Sequence, residues 1–254
     1  MRIATWNVNG LRAAIRKGLP DWLEAIAPDV LLLQEIRCLP EQLPDAWATP
    51  SGWHVAWHPA ERKGYAGTAI FSRAPIGNIS RGMDDDDPEG RVLRATIEGV
   101  DVVSVYLPSG SSSEEAQVRK TTWMARFGDW MGSLRRKRRP ILVGGDLNIA
   151  RDERDIFHWR SNRNTSGFLP HERAWMNNLV DSGWRDLIRE HFGDVDGPYS
   201  WWSQRGQARA LDRGWRIDYL LANATAARRS STPSIHRDAG LACSDHAPVI
   251  VDLT

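Results

Sequence analysis

The chain has 254 residues, 41% of them hydrophobic and 26% charged, an ordinary balance for a soluble globular protein. Lys and Arg total 33 against 32 Asp and Glu, so the net charge of +1 does not by itself point to nucleic acid, and any polyanion has to be met by local clusters. The two cysteines, Cys38 and Cys243, have no partner motif, which excludes a disulfide scaffold, and no apolar run reaches the ~20 residues of a membrane helix.

The opening MRIATWNVNG reads as a strand rather than a signal segment, so the expected compartment is the cytoplasm. Residues Ile3 to Val8 form that first strand. Leu19, Trp22, Leu23 and Ile26 then recur at helical spacing, with Pro20 suited to the first turn. Asp29 leads into the continuous apolar run Val30–Leu33, as in a strand buried on both faces. Short strands follow at Trp53–Trp57, Thr68–Phe71, Val92–Ile97 and Val102–Tyr106, separated by Gly, Pro and Asp clusters. The acidic run Asp84–Asp87 reads as a solvated loop. Ser111 and Ser112 stand three residues before Glu114 and Glu115, a capping-box spacing, and Trp123, Phe127, Trp130 and Leu134 continue on one helical face. Arg135 to Arg139 suit the negative end of that helix dipole, or a DNA patch, and Pro140 stops the helix. Ile141–Val143 resumes a buried strand, Arg151 to Gly167 is a polar loop, and Glu172 to Val180 is helical. Arg216–Leu221 and Val249–Leu253 close the chain as strands. Strands interleaved with helices predict α/β layers.

Polar residues sit where a pure core would not want them. Asn7 lies in the first strand, and Leu31–Leu33 runs into Gln34 and Glu35. Ile141–Val143 runs into Gly144, Gly145, Asp146, Leu147 and Asn148, and Ser244, Asp245 and His246 precede the last strand. Alone, each has a plain reading as a cap or turn. Asp218 resists that reading, because aspartate disfavours strands. Charged groups at several strand ends suggest one shared cleft, since they are rarely buried unpaired. Carboxylates and amide oxygens are hard ligands that suit Mg²⁺ or Mn²⁺, and the absence of CxxC or HExxH argues against zinc. That chemistry suits phosphodiester cleavage, where a cation offsets phosphate charge.

Taken in order, TWNVNGLRA (5–13), PDVLLLQEIR (28–37), GYAGTAIFS (64–72), VSVYLPSG (103–110), GGDLNIA (144–150), SGFLPHERAWM (166–176), GWRIDYLLA (214–222) and SDHAPV (244–249) resemble the exonuclease III / abasic-site endonuclease family throughout the chain. The resemblance implies a single catalytic domain over 1–254 with a four-layered α/β sandwich, two central mixed β-sheets flanked by helices (DNase I-like). It implies a Mg²⁺-dependent DNA repair phosphodiesterase, with Mn²⁺ as a substitute. The expected substrate is double-stranded DNA with abasic sites or blocked 3' ends, cut 5' to the abasic site or trimmed from the 3' end, with no membrane or protein partner.

By the same resemblance Glu35 is the main metal carboxylate, with Asn7, Asp146, Asn148 and Asp245 beside it. Asp146 activates the attacking water and Asn148 holds it. His246, hydrogen-bonded to Asp218, contacts the scissile phosphate, and Tyr106 assists there. Tyr65 matches a minor-groove insertion. Arg37, Lys63, Arg91 and Asn162 are expected phosphate contacts. Trp201, Trp215 and Ile217 match the apolar pocket for a base-free sugar. If both serve the cleft, Trp215 must precede the strand that carries Asp218, because an ideal strand would put them on opposite faces. The loop after Tyr106, LPSGSSS, lacks an arginine found in some abasic endonucleases, and 151–165 departs widely from the family pattern. Another DNase I-like phosphodiesterase or phosphatase, or a non-catalytic DNA-binding homologue, are the alternative readings.

Overall fold

A computed structural model describes residues 1–254, the surroundings of Gly240 excepted. The first part of the chain forms β1 (Arg2–Asn7), α1 (Leu11–Arg16), α2 (Leu19–Ile26), β2 (Val30–Gln34), α3 (Asp45–Ala48), β3 (His54–His58) and β4 (Thr68–Ser72). Next come β5 (Gly77–Arg81), β6 (Val92–Ile97), β7 (Val100–Tyr106), α4 (Glu114–Arg135), β8 (Ile141–Asp146) and α5 (Pro170–Asp181). The chain finishes with β9 (Arg185–Asp186), α6 (Leu187–Phe192), β10 (Asp218–Ala222), α7 (Ala224–Ala227), β11 (Ser230–Ile235), α8 (Arg237–Cys243) and β12 (Val249–Leu253).

The strands build two six-stranded sheets, in the orders β11-β12-β1-β2-β4-β3 and β5-β6-β7-β8-β10-β9. Each is mixed: β1 and β2 pair in parallel, as do β7 and β8, while their neighbours run antiparallel. A parallel pair needs a crossover, supplied by α1–α2 in one sheet and α4 in the other. The sheets stack face to face over Ile3, Val30, Leu32 and Ile70 from the first and Leu93, Val102, Leu142 and Leu220 from the second. Outside the first sheet Leu11, Leu19 and Trp22 pack against Trp6 and Leu31. Outside the second, Met124, Phe127, Met131 and Met176 pack against Val103 and Val143. The result is the four-layered sandwich that the resemblance implied. Among the described residues no helix is long and apolar enough to cross a membrane.

Most departures from the sequence reading lie at element ends. The α4 cap is Ser113, whose Oγ accepts from Ala116 N at 3.2 Å, rather than Ser111 or Ser112. Glu114 and Glu115 thereby fall in the first turn, on the positive end of the dipole. Arg139 pairs with Asp101 at 3.0 Å, which makes part of the basic run structural. Asp87 is not merely solvated: its Oδ2 accepts from Arg91 N at 2.7 Å and Val92 N at 2.9 Å. β10 begins at Asp218, two residues later than expected, because Arg216 is withdrawn into an ion network.

That network ties the approach to β10 to two distant segments. The fully buried Arg216 grips Asp155 (Nε 2.8 Å, Nη2 2.9 Å) and Asp186 (Nη1 3.0 Å, Nη2 2.9 Å), and Arg189 also holds Asp155. Burial works against the charged form of Asp155, but Arg216 and Arg189 outweigh it and hold the carboxyl below its ordinary range. Replacing Arg216 with methionine leaves Asp155 to Arg189 alone and Asp186 to Arg151 at 3.6 Å, and the expected loss is about 3–5 kcal/mol in urea unfolding at neutral pH. The Asp155 contribution is present above its ordinary 3.8 and is lost as pH falls through the depressed folded value. The gap between wild type and Arg216→Met should therefore narrow in acid; a gap independent of pH would show that the ion pair does not carry it.

Candidate active site

The carboxyl ends of both parallel pairs open at the same edge of the sandwich. Register places Asn7 opposite Gln34 in the first sheet, and Tyr106 and Asp218 on either side of Asp146 in the second. Gly144 lets the sheets approach here, because a Cβ would lie 2.8 Å from Leu32 Cδ1 and 3.0 Å from Thr5 Cβ. Just past β2 the chain turns sharply, with Glu35 at φ +50°. A non-glycine residue rarely adopts that conformation outside sites that need it. Its neighbours close the turn: Gly10 N donates to Glu35 O at 2.8 Å and Ile36 N to Gly67 O at 3.2 Å.

Glu35, Asp146 and His246 each offer a ligand atom, all within 4.8 Å of one another and all buried. Burial raises the Asp146 pKa, and the nearby Asp218 and Glu35 charges raise it further against the lowering effect of His246. Asn7 relieves the crowding by donating Nδ2–H to Glu35 Oε1 at 2.7 Å and to Asp146 Oδ2 at 2.9 Å. Asn148, at φ +51°, donates its backbone N–H to Asp146 Oδ1 at 2.8 Å and its amide to Leu107 O at 2.8 Å. Arg37 pairs with the other Glu35 oxygen.

His246 is the opposite pole. Its Nδ1 lies 2.9 Å from Asp218 Oδ2, and its Nε2 lies 3.8 Å from Asp146 Oδ2. Burial disfavours the charged ring, yet the Asp218 and Asp146 carboxylates push its pKa well above 6.5. Ser200 fixes the dyad: its Oγ donates to Asp218 Oδ2 at 2.7 Å and accepts from Asp218 N at 3.0 Å. An imidazolium has no lone pair for a metal, so the donors that fit a hard cation are the Glu35 and Asp146 carboxylates. Three expected ligands stand differently. Asn7 and Asn148 turn amide nitrogens, not oxygens, to the carboxylates. Asp245 lies outside the cluster, with one oxygen accepting from Asn9 Nδ2 at 2.7 Å and the other from Trp201 Nε1 at 3.3 Å.

Tyr106 closes the other side. Burial first, then the Glu35 and Asp146 charges, raise its hydroxyl far above 10, so it stays a neutral donor. Trp201 and Trp215 meet edge-on with centroids 6.0 Å apart, and Trp201 lies 6.4 Å from the His246 ring. Ile217 and Phe168 back them. Trp215 precedes β10, pairing by isolated bridges with Trp201 and Ile156, as the alternation argument required. Gly167 (φ +95°) makes room, since a Cβ would meet Trp215 Cζ3 at 3.1 Å.

The expected phosphate contacts divide. Lys63 is exposed and Arg37 half-exposed beside Glu35. Arg91 corrects its expectation: it is buried, and its guanidinium is shared among Glu89, Tyr106 O at 3.0 Å and Tyr65 Oη at 2.9 Å. It orders Tyr65 and Tyr106 rather than offering a free fork. Asn162 is partly exposed and donates its amide to His158 O at 2.8 Å inside its own loop.

Sequence reasoning missed Ser200, Asn9 and the buried pair Lys120–Glu172. Lys120 Nζ lies 2.6 Å from Glu172 Oε1 and donates to Asn148 O at 2.9 Å, while Glu172 accepts from Gly167 N at 2.6 Å and Leu169 N at 3.0 Å. One signal existed: Lys120 is among four lysines in an arginine-rich chain. Nothing in the sequence around Ser200 marked it.

Carboxylates that suit a cation, a base and a proton donor gathered in one buried corner fit metal-dependent hydrolysis. The comparison with known proteins says of which kind: the chain belongs to the Endonuclease/Exonuclease/phosphatase family, whose profile matches residues 4–246, and within it to the exonuclease III / abasic-site endonuclease branch. It is 36% identical over 252 residues to an exodeoxyribonuclease of Bacillus subtilis, covering 98% of each chain. It is 33% identical over 257 residues to the DNA repair nuclease APEX1 of Danio rerio, covering all of this chain and 82% of that one. Among solved structures it superposes with TM-score 0.91 and 30% identity on a 3' phosphatase, NExo, from Neisseria bound to product DNA hairpin, covering 100% of this chain and 99% of that one.

The Asp218–His246 dyad is directly measurable. In metal-free protein the His246 ring should stay protonated through neutral pH by NMR, and Asp218→Asn should return its titration toward 6.5. With a folded pKa above the unfolded one, the pair's stability is present in full below 6.5 and is lost as pH rises through the folded value. A wild-type ring titrating near 6.5 would overturn this assignment.

Proposed function

We propose that the protein is a Mg²⁺-dependent DNA repair phosphodiesterase that cuts double-stranded DNA on the 5' side of abasic sites and clears blocked 3' ends, acting in the cytoplasm as one catalytic domain. The observation that carries the reading is the Asp146–His246–Asp218 corner, with a Trp201–Trp215 slot walled against it. Likeness to the DNA repair nuclease APEX1, within the abasic-site endonuclease branch, and to a 3' phosphatase supports the two substrates together.

Glu35 and Asp146 would hold the cation, which when bound neutralises charge on the phosphate oxygens. Asp146, raised above the ordinary carboxylate range by burial, Asp218 and Glu35, accepts the proton of the attacking water. Asn148 fixes Asp146 through its backbone N–H and keeps its side chain at the same spot. The His246 imidazolium donates from Nε2 to a phosphate oxygen while Asp218 holds Nδ1. Tyr106, neutral, donates a further hydrogen bond to the phosphate. Water adds at phosphorus and gives its proton to Asp146, the P–O3' bond breaks to leave a 5'-phosphate, and the departing O3' takes a proton from solvent to become a 3'-hydroxyl. Trp201, Trp215 and Ile217 receive a base-free sugar, which lacks the base such a slot excludes. Tyr65, held by Arg91, contacts the groove, with Lys63 and Arg37 nearby on phosphate.

EDTA should abolish cleavage of an abasic duplex and of a 3'-phosphate duplex, and Mg²⁺ should restore both. Asp146→Asn and His246→Asn should each slow single-turnover cleavage by roughly a hundred- to ten-thousand-fold while DNA still binds. A variant that loses affinity yet keeps its rate would reverse these roles, and full activity in EDTA would remove the cation.

Trp215 separates pocket from core. A core tryptophan cut to alanine costs about 3–5 kcal/mol. Trp215 is only partly buried, so Trp215→Ala should cost less and should weaken preference for abasic over intact duplex. Thermal melting beside cleavage rates on both substrates decides; a large stability loss with unchanged preference would take Trp215 out of the site.

A further inference from the structure

Behind the catalytic corner, Lys120 on α4 and Glu172 on α5 form a buried ion pair that the chemistry above does not use. We propose that Lys120 is a positioning residue for cleavage: it holds Asn148 from behind and, with Glu172, ties the Asp146 corner to the aromatic slot. The proposal rests on the reading of Asp146 as the group that takes the proton from the attacking water.

Both partners are almost without solvent contact, with Nζ 2.6 Å from Oε1. A buried pair of this kind adds little stability over apolar side chains of the same volume. Apolar side chains could not, however, make the hydrogen bonds that these two make. Nζ donates to Asn148 O at 2.9 Å, and Glu172 Oε2 accepts from Gly167 N at 2.6 Å and Leu169 N at 3.0 Å. Gln117, three residues before Lys120 on the same face of α4, completes the frame. Its amide donates to Glu172 Oε1 at 3.0 Å, and its oxygen accepts from Ser166 Oγ at 2.6 Å.

Asn148 is the residue that needs such a grip. Its φ of +51° lies in the left-handed region, which asparagine tolerates better than most but which the surroundings must hold. Its N–H donates to Asp146 Oδ1 at 2.8 Å, and its side-chain amide lies 3.2 Å from Asp146 Oδ2. With the N–H bound to Asp146 and the carbonyl bound to Lys120, the residue is pinned at both ends. The direction of its side chain toward Asp146 is thereby fixed. Without Lys120 the carbonyl is left unanswered, and the residue is free to relax and carry both Asp146 contacts with it.

The same pair reaches the slot through Gly167. Gly167 O accepts from Ala150 N at 2.8 Å, and a Cβ on Gly167 would lie 3.0 Å from Asn148 O and 3.1 Å from Trp215 Cζ3. One residue thus touches both the carbonyl that Lys120 grips and the ring that walls the slot. A shift at either is felt at the other.

The test is the double variant Lys120→Met/Glu172→Gln, which removes both charges together and keeps an acceptor for Gly167 N. Its melting temperature should stay close to wild type, and its affinity for an abasic duplex in EDTA should be unchanged. With Mg²⁺ and enzyme in excess, its single-turnover rate at saturation should fall roughly a hundredfold, the cost of a small misplacement imposed from a distance. The enzyme concentration giving half the maximal rate should not move. A wild-type rate in the folded variant, or a loss recovered by adding more enzyme, would overturn the proposal in favour of a purely structural pair or a binding role. Wild-type protein gives a second measurement that needs no variant to fold. Lys120 alone of the four lysines is buried, so its ammonium should exchange slowly with water in ¹⁵N NMR. That resonance should shift when the abasic duplex binds in EDTA, and a resonance unmoved by bound DNA would equally overturn the proposal. Wild type that does not cleave the duplex would sink the parent reading, and the proposal with it.

Discussion

Three buried carboxylates within reach of one buried imidazole set the terms for the rest of the structure. Glu35, Asp146 and Asp218 are almost without solvent contact, and bringing such charges together in a low-dielectric edge is costly unless each is answered. The answers come from several directions: Asn7 bridges Glu35 and Asp146, Ser200 and His246 take Asp218, and Arg37 takes the outer oxygen of Glu35. Each donor comes from a different stretch of chain. The cluster can form only when both sheets are stacked in register, so folding and site assembly are one event.

The sheets are joined by polar contacts as well as by apolar packing. Gln34 Nε2 donates to Ser104 Oγ at 2.9 Å across the sandwich, and Ser104 Oγ donates to Leu33 O at 2.9 Å. A slip of one residue in either sheet would break both bonds and turn Asp146 away from Asn7. Apolar residues alone would tolerate such slips more readily, since many shifts bury similar area. The buried hydrogen bonds select the register in which the carboxylates meet.

What the sequence disclosed follows from how local each cause is. β2 was plain because Val30–Leu33 has no polar residue to contradict a doubly buried strand. The site carboxylates were plain because acids at strand ends conflict with burial. Roles came from the family resemblance, not from spacing. The orientation of Asn7 was hidden, because which end of an amide faces a carboxylate depends on partners such as Asn9 N, far from any local rule. Arg91 was misjudged for the same reason: an arginine beside a loop looks like a phosphate fork until Glu89, Tyr65 and the Tyr106 carbonyl are seen to occupy it. β5 and β11 escaped notice because they are edge strands, exposed or only partly buried at nearly every position and irregular in register, with little alternation for a pattern to register.

The edge of β10 shows how a stability device and a binding surface can share one segment. Arg216 is drawn inward by Asp155 and Asp186, which ends the strand ladder at Asp218. Trp215 is thereby released from strand geometry and can lie against Trp201, although alternation would have sent it to the face opposite Asp218. Asp155 belongs to the loop that continues through Ile156, and Ile156 bridges back to Trp215. A buried ion pair placed elsewhere would contribute only rigidity. Here it fixes the angle between the aromatic slot and the His246 dyad, so the geometry of the slot inherits the stiffness of the core rather than the mobility usual for a loop.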